Sequence, residues 1–359
     1  MLMRLCTVLV ISLVSLAFVG CQDGLPPRAR AGCYPTSTIG APFVNPEKLG
    51  QHGYGFSLSE KNGIVYTCRG GHIDLAHLRI AADWTAYLTR KSFRHLMAGD
   101  TEFSYKLMVD HSRHYVELSY PADWAERPKA EREEVAREIS RALGPVLAYN
   151  MTTWHEILTW FGYKCVGLPT AFPSAFSWED SYSNLLGAVL AARALQDTER
   201  SFSKAFTVVL DEELDRLGAL PASVARQATD QVKGDWFTGP IMMLMDISKR
   251  NLDVGLRDGL VTPTLLPAVA ECGEVEPASY PVPNLEVLAQ HGFTARLTVE
   301  PHEWEAGAIL AVAYPDTKPR PKRVDMTVHL GPIMDHIEQD ARRRYGPQTP
   351  IQTGDADGE

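Results

Sequence analysis

The sequence has no extended block of basic residues, and its 44 acidic side chains outnumber its 35 basic ones, giving a formal net charge of −9. Nucleic-acid binding requires a concentrated basic surface that neutralises phosphates. The composition therefore argues against nucleic acid as a partner. Beyond residue 20, no stretch has the roughly 20 apolar residues that a membrane-spanning helix needs. Any attachment of the mature chain to a membrane is therefore expected to use something other than a membrane-spanning helix.

Several signatures of well-known catalytic sites are also missing. The sequence contains no His-Glu-x-x-His, Gly-x-Ser-x-Gly, phosphate-binding P-loop or Gly-x-Gly-x-x-Gly motif. No Cys-x-x-Cys or Cys/His spacing indicates a zinc knuckle or a redox pair. The paired Glu-x-x-His signature of di-iron helical bundles is absent too. No motif of these classes therefore identifies a reaction.

The amino terminus has the organisation of a bacterial export signal. Arg4 supplies a positive charge, and an apolar run from Leu5 to Val19 follows it. The run leads into Leu-Ala-Phe-Val-Gly-Cys, ending at Cys21, which resembles a lipobox with phenylalanine where leucine is commoner. We expect residues 1–20 to be a lipoprotein signal peptide, the alternative being an ordinary secretory signal.

In this interpretation Cys21 becomes the lipidated first residue of the mature chain, and its acyl chains attach the protein to the membrane. Gln22 occupies the position where an aspartate would indicate the inner membrane. The sequence therefore predicts a protein on the periplasmic side of the outer membrane. Four other cysteines remain, and in an oxidising compartment they form up to two disulfides of undetermined pairing. They are Cys33, Cys68, Cys165 and Cys272.

The remaining chain is predicted to have an α+β fold, with a helix-rich central part flanked by short antiparallel β elements. Residues 21–50 are rich in Pro and Gly and indicate a tether followed by a loosely ordered segment. Residues 51–345 form one large domain, with a β-rich C-terminal subdomain at 285–345 as an option, and 346–359 form a disordered tail. Hydrophobic periodicity predicts helices at 74–97, 128–163, 177–195, 201–217, 221–234 and 332–345. Alternation predicts strands at 103–109, 114–119, 294–299, 308–313 and 324–329.

The first candidate site follows a short β-like run and a double glycine, where His72, Asp74 and His77 lie within six positions. Asp74 and His77 are three residues apart on a predicted helix, so they share a face. Imidazole nitrogen and carboxylate oxygen suit zinc and other divalent transition metals. The competing interpretation is that Asp74 only caps the helix.

The second candidate is Glu156, which lies with His155 on a helix face that carries aromatic and hydroxyl side chains instead of charges. A single acid in such surroundings indicates a pocket wall, where burial raises its pKa or a cation holds it. The alternative is a structural ion pair with Arg79 or Arg193.

The third candidate is the start of the helix after Ser177, where Glu179 and Asp180 are followed by Asn184. A capping role explains the two acids because they lie at the positive end of the helix. Asp180 and Asn184 also share a face with two small residues, which forms a groove for another backbone or a ligand.

Our leading hypothesis is that these segments meet in a helical bundle and form a buried metal site. A metal-dependent hydrolase of an envelope component would hold its ion with three of the residues and use Glu156 to take a proton from the metal-bound water. The alternative is a non-catalytic lipoprotein that binds a ligand or partner protein. The predicted metal ligands are Asp74, His77, His155 and His72. The predicted ligand-binding residues are Glu179, Asp180, Asn184 and Arg79.

Three blocks carry a resemblance to a known family: Cys-Arg-Gly-Gly-His-Ile-Asp-Leu-Ala-His-Leu-Arg from Cys68, Trp-His-Glu-Ile-Leu-Thr-Trp-Phe-Gly-Tyr from Trp154, and Ser-Ala-Phe-Ser-Trp-Glu-Asp-Ser-Tyr-Ser-Asn-Leu-Leu-Gly from Ser174. They resemble the motifs of an uncharacterised family of bacterial envelope lipoproteins, classed as a domain of unknown function. The resemblance covers most of the mature chain. It implies the envelope location and no established activity.

Overall fold

The computed structural model describes residues 25–55, 57–107, 109–164, 172–241 and 244–347. The predicted signal peptide, Cys21, Cys165 and residues 348–359 lie outside these ranges. Within them the chain has the predicted α+β architecture, with long helices in the middle and short antiparallel strands beside them. None of the described helices combines the length and the apolar character required to cross a bilayer.

Three long helices form the centre of the fold: α1 (Leu75–Ala98), α2 (Lys129–Trp160) and α3 (Asp180–Ala194). Helix α1 packs against both α2 and α3. It begins after the side chain of Asp74 accepts a hydrogen bond from Ala76 N and ends at left-handed Gly99, as its caps predict. Helix α2 is a single helix that continues through Pro145. Next in the chain are α4 (Phe202–Leu217) and α5 (Ala222–Asp230).

Helix α3 fits closely against α1 because Gly187 has no side chain. A Cβ atom added at Gly187 would lie 2.0 Å from the carbonyl oxygen of Leu78 in α1. This is the groove of small residues predicted after Asp180, and the backbone of α1 fills it. The contact places the start of α3 beside the start of α1.

Gly187→Ala is expected to lower the free energy of unfolding by about 3 kcal/mol, because the new methyl group meets backbone that cannot move aside. The matched control is Gly307→Ala, at an exposed position of a helix where an added Cβ has no neighbour within 4 Å. That change is expected to stabilise the protein by up to about 1 kcal/mol. Urea unfolding of both variants measures the difference, and equal stabilities would contradict the close contact.

The strands form small antiparallel sheets around the helices. Strands β1 (Ile64–Thr67) and β2 (Gly71–Asp74) make a hairpin that leads directly into α1. The predicted hairpin at 103–119 is confirmed as β3 (Glu102–Lys106) and β4 (Arg113–Ser119). Two-residue pairs follow as β5 (Phe237–Thr238) with β6 (Asp246–Ile247), and β7 (Leu260–Val261) with β8 (Tyr280–Pro281).

The C-terminal part contains more helix than predicted. It consists of α6 (Glu286–Gln290), β9 (Thr294–Glu300), α7 (Glu303–Ala313), β10 (Val324–Asp325) and α8 (Met326–Tyr345). The strand prediction at 308–313 is wrong, because a short apolar run does not distinguish a strand from a helix with a buried side. The predicted strand at 324–329 ends early because the Asp325 side chain accepts from Thr327 N and starts α8.

Strand β9 pairs with β4 over seven residues, and the four-stranded sheet has the order β10-β9-β4-β3. The segment 285–345 therefore shares a sheet with residues 102–119 and is not a separate β-rich unit. A disulfide joins Cys68, just after β1, to Cys272. Among the described cysteines, Cys33 is a free thiol.

Candidate functional site

The starts of α1 and α3 and the middle of α2 bring acidic side chains together in the interior. Asp74 and His77 come from the start of α1, Glu156 from α2, and Glu179 and Asp180 from the start of α3. The four acidic residues are at most 5 % exposed, and the side chain of His77 is 23 % exposed. The predicted convergence of three distant segments is therefore present in the fold.

His77 lies at the centre of this cluster. Its Nδ1 atom is 2.9 Å from Asp180 Oδ1 and 3.4 Å from Asp74 Oδ2. Single ligand atoms of His77, Glu156 and Asp180 all lie within 4.8 Å of one another. Asp74 has two roles, since its Oδ1 caps α1 while its Oδ2 faces His77. The capping and ligand interpretations of Asp74 are thus compatible.

Glu156 has no cationic partner from lysine or arginine in the described part of the chain. Its Oε2 accepts a hydrogen bond of 3.0 Å from the backbone N–H of Phe176. Phe176 is fully buried with a φ of 52°, a left-handed conformation that is rare for a bulky residue. The predicted structural pairs are wrong, because Arg79 bonds Lys61 O and Asn62 while Arg193 pairs with Glu213.

Ser177, in the turn before α3, holds the carboxylates of Glu179 and Asp180. Ser177 N–H donates to Asp180 Oδ2 over 2.8 Å, and the Ser177 hydroxyl lies 2.8 Å from Glu179 Oε2 and 2.9 Å from Asp180 Oδ2. The other oxygens, Glu179 Oε1 and Asp180 Oδ1, are buried and form no hydrogen bond within the described residues. The predicted capping role of the two acids is therefore only partly present, because Glu179 occupies the cap position but its side chain makes no capping hydrogen bond.

Three side chains of the cluster have pKa values shifted far from their ordinary values. Burial, reinforced by Asp180, raises the pKa of Glu156 to about 7. Burial, followed by Asp180 and Asp74, raises the pKa of Glu179 well above its ordinary value. Burial opposes the charged form of His77, yet Asp74 and Asp180 raise its pKa well above the ordinary value. A cluster whose acids resist ionisation is one that an added cation would stabilise.

His155 and His72, two of the predicted ligands, have other partners. His155 Nδ1 lies 3.1 Å from Asp110 Oδ2, in the loop between β3 and β4. His72 is in the core, where its Nδ1 accepts from Trp178 and its Nε2 lies 2.7 Å from the Thr229 hydroxyl. Since both nitrogens of His72 are engaged, the structure does not bring it into the cluster.

Acidification is expected to destabilise the fold through His72. Burial lowers the pKa of His72 to about 3, whereas the unfolded chain binds this proton near pH 6.5. The stability that His72 contributes is therefore present above pH 6.5 and is lost as the pH falls, by about 2 kcal/mol at pH 5. Urea unfolding at pH 7.5 and at pH 5 measures this loss of stability.

His72→Gln is the control, because glutamine accepts from Trp178 and donates to Thr229 without titrating. The wild-type protein should lose about 2 kcal/mol more than this variant between the two pH values. An identical loss in both proteins would exclude His72 as the cause.

Of the other two predicted ligand-binding residues, Asn184 lies near the cluster and Arg79 does not. Asn184 is buried one turn after Asp180 in α3. Arg79 is buried on α1 and bonds the backbone near residues 49 and 61, which removes it from any ligand-binding role in the cluster. Asp110 was not predicted, since a lone aspartate between two strands has no distinguishing spacing.

The N-terminal segment covers the cluster, which the sequence did not predict. Cys33 N–H donates to Asp74 Oδ2 over 2.6 Å. A Cβ atom on Gly32 would lie 2.6 Å from His77 Nε2, so a larger residue there would have to displace the His77 ring. Arg30 is buried between Glu60 and Asp83. The expectation of a loosely ordered segment is therefore wrong for these residues, because buried ion pairs fix them to α1.

The cluster has the donor types and spacing that can hold a cation, and the His77 side chain is 23 % exposed. No curated protein and no solved structure matches the chain. Residues 37–245, which include every acid of the cluster, match the family described as "Protein of unknown function (DUF4056)". Since the match spans more than half of the chain, the protein belongs to this family of unknown function.

Proposed function

We propose that the cluster binds a divalent metal ion and that the protein is a metal-dependent hydrolase of the bacterial cell envelope. The observation that carries this proposal is the approach of His77, Glu156 and Asp180, whose ligand atoms lie within 4.8 Å of one another in a buried site. No lysine or arginine in the described ranges forms an ion pair with Asp74, Glu156, Glu179 or Asp180.

The distances from His77 to two neighbouring carboxylates suit ligands that share one ion. Ligands about 2.0–2.1 Å from a tetrahedral zinc ion lie about 3.4 Å apart. The separations from His77 Nδ1 are 2.9 Å to Asp180 and 3.4 Å to Asp74. We therefore assign Asp74, His77 and Asp180 as ligands, with Asp180 replacing His155 in the set expected from the sequence.

A bound divalent ion lowers the pKa of a coordinated water and so supplies a nucleophile near neutral pH. Glu156 is placed to accept the proton of that water, because its carboxylate lies within 4.8 Å of the His77 and Asp180 ligand atoms. The Phe176 N–H holds one oxygen of Glu156 and leaves the other for this role. Glu179 helps to orient Asp180, because the Ser177 hydroxyl contacts both carboxylates.

Metal analysis of the purified full-length protein tests the site. The expected result is one zinc, iron or manganese ion per chain, removable with a chelator. Glu156→Gln should retain the metal and lose hydrolysis of a p-nitrophenyl ester or a bis(p-nitrophenyl) phosphate probe. A chain that takes up no stoichiometric metal would overturn the proposal.

A second function, ligand binding without turnover, is favoured by the cover that Gly32 and Cys33 place over the cluster. It predicts a full metal site whose Glu156→Gln variant behaves like the wild type toward both probes. The two functions therefore differ in turnover and not in metal content.

We propose an envelope location with a lipid on Cys21. The lipobox-like sequence supports it, and the Cys68–Cys272 disulfide suits an oxidising compartment. Labelled palmitate should enter the wild-type protein in growing bacteria and be absent from Cys21→Ser. Equal labelling of both would exclude this anchor.

A further inference from the structure

A pair of histidines lies outside the cluster, on the surface formed by the β3–β4 loop and the start of α7. The rings of His111 and His302 have centroids 5.7 Å apart and planes inclined by 38°. His111 is exposed, and the side chain of His302 is 17 % exposed. We call these two residues the His111–His302 pair.

The free nitrogens of the pair are available to a ligand. His302 Nδ1 lies 2.8 Å from the buried carboxylate of Glu305. Because that carboxylate accepts, Nδ1 carries the hydrogen and Nε2 keeps its lone pair. Within the described ranges, His302 Nε2 and both nitrogens of His111 form no hydrogen bond. A histidine oriented by a carboxylate is the usual arrangement of a metal-binding imidazole.

The backbone holds His111 in an uncommon conformation. Its φ is 61°, in the left-handed region where histidine is among the tolerated residues. His111 N–H donates to Leu107 O, and the next N–H, of Ser112, donates to Asp110. Asp110 in turn contacts His155 on α2. The loop is therefore anchored on both sides of His111, which keeps its ring beside His302.

The separation of the two rings suits one shared cation. Two imidazoles that bind an ion through bonds of about 2.0–2.1 Å have ring centroids about 5 Å apart. A movement of less than about 1 Å would bring the observed pair to that distance. Imidazole nitrogen favours the borderline ions Cu²⁺, Ni²⁺ and Zn²⁺ over Mg²⁺ or Ca²⁺.

We propose that the His111–His302 pair is a surface binding site for a borderline divalent ion, preferentially Cu²⁺. It is separate from the cluster of Asp74, His77 and Asp180, and it does not depend on the hydrolase proposal. Trp304 gives the site a built-in reporter, since its ring lies 5.5 Å from that of His302 and the residue is 73 % exposed.

The test is a titration of the chelator-treated full-length protein with CuCl₂. Two quantities are measured during the titration: tryptophan fluorescence and the number of Cu²⁺ ions bound per chain. Binding at the pair should quench Trp304, and Trp304→Phe should remove that part of the quenching. His302→Gln and His111→Asn should each weaken the binding at least tenfold and lower the count by one ion. Both replacements keep a polar side chain, and asparagine tolerates the left-handed conformation at 111.

The matched control is His291→Ala. His291 also bonds a glutamate, Glu138, and its side chain is 24 % exposed, but no second histidine ring contacts it in the described structure. This variant should keep the wild-type count and quenching. If His302→Gln and His111→Asn bind Cu²⁺ as the wild type does, the site is excluded, whatever the metal content of the buried cluster.

Discussion

Asparagine in place of Asp180 is expected to abolish metal binding at the buried cluster, with an affinity loss of at least a hundredfold, without unfolding the protein. Asp180 Oδ1 is buried, lies 2.9 Å from His77 Nδ1 and has no hydrogen bond of its own within the described residues. Asparagine retains an oxygen that accepts from Ser177 but removes the negative charge that a cation requires. The metal-free variant should be at least as stable as the metal-free wild type, since fewer like charges are buried together.

Because a metal ion that binds only the folded state stabilises it, metal binding can be measured as a change in stability. A ligand at 100 times its Kd stabilises the folded state by about 2.7 kcal/mol. In a His302→Gln background, which removes the surface pair, zinc should therefore raise the free energy of unfolding by about that amount, and adding Asp180→Asn should remove this stabilisation. Urea unfolding with and without Zn²⁺ gives both numbers.

The control for this experiment is Asp253→Asn. Asp253 is a buried aspartate that accepts backbone hydrogen bonds from Gly255 and Thr262, and it lies outside the cluster. In the same His302→Gln background, this variant should retain the full stabilisation by Zn²⁺. Zinc stabilisation that Asp180→Asn leaves unchanged in that background would disprove the ligand assignment.

Removal of the disulfide is expected to have the second large effect. Cys68 and Cys272 are 204 residues apart in the chain, so their bond restricts a long loop of the unfolded state. Loop-closure entropy predicts a contribution of about 5 kcal/mol for a cross-link of this length. The double variant Cys68→Ala/Cys272→Ala should be destabilised by that amount in urea.

Reduction provides the control. Dithiothreitol should destabilise the wild type to the level of the double variant and leave the double variant unaffected. Cys33→Ser should respond to dithiothreitol as the wild type does, because Cys33 is a free thiol. A loss below about 1 kcal/mol in the double variant would show that the unfolded chain is not restricted by this bond.

Local signals in the sequence predicted the elements that carry the site. Asp74 and Gly99 bound α1 because an aspartate cap and a left-handed glycine act within one turn of the residues they satisfy. The hairpin at 102–119 follows from alternation, another short-range pattern. The same reasoning failed at 308–313, where an apolar run without turn residues is compatible with a helix.

The membership of the cluster was predicted only in part. Asp74, His77, Glu156, Glu179 and Asp180 do converge, whereas His72, His155 and Arg79 are held by other partners. Their spacing along the chain carries no information about those partners. The approach of Gly32 and Cys33 to Asp74 and His77 was missed for the same reason, since a Pro- and Gly-rich segment usually indicates a linker.

The sequence by itself determined where α1 begins and ends, which helix faces are polar and which residue types can bind a cation. Only the tertiary structure decided which of those residues meet. His77 and Asp180 are in contact because Gly187 lets α3 approach the backbone of α1. Caps and periodicity act over a few residues, while such contacts depend on how whole helices pack, which no short stretch of sequence specifies.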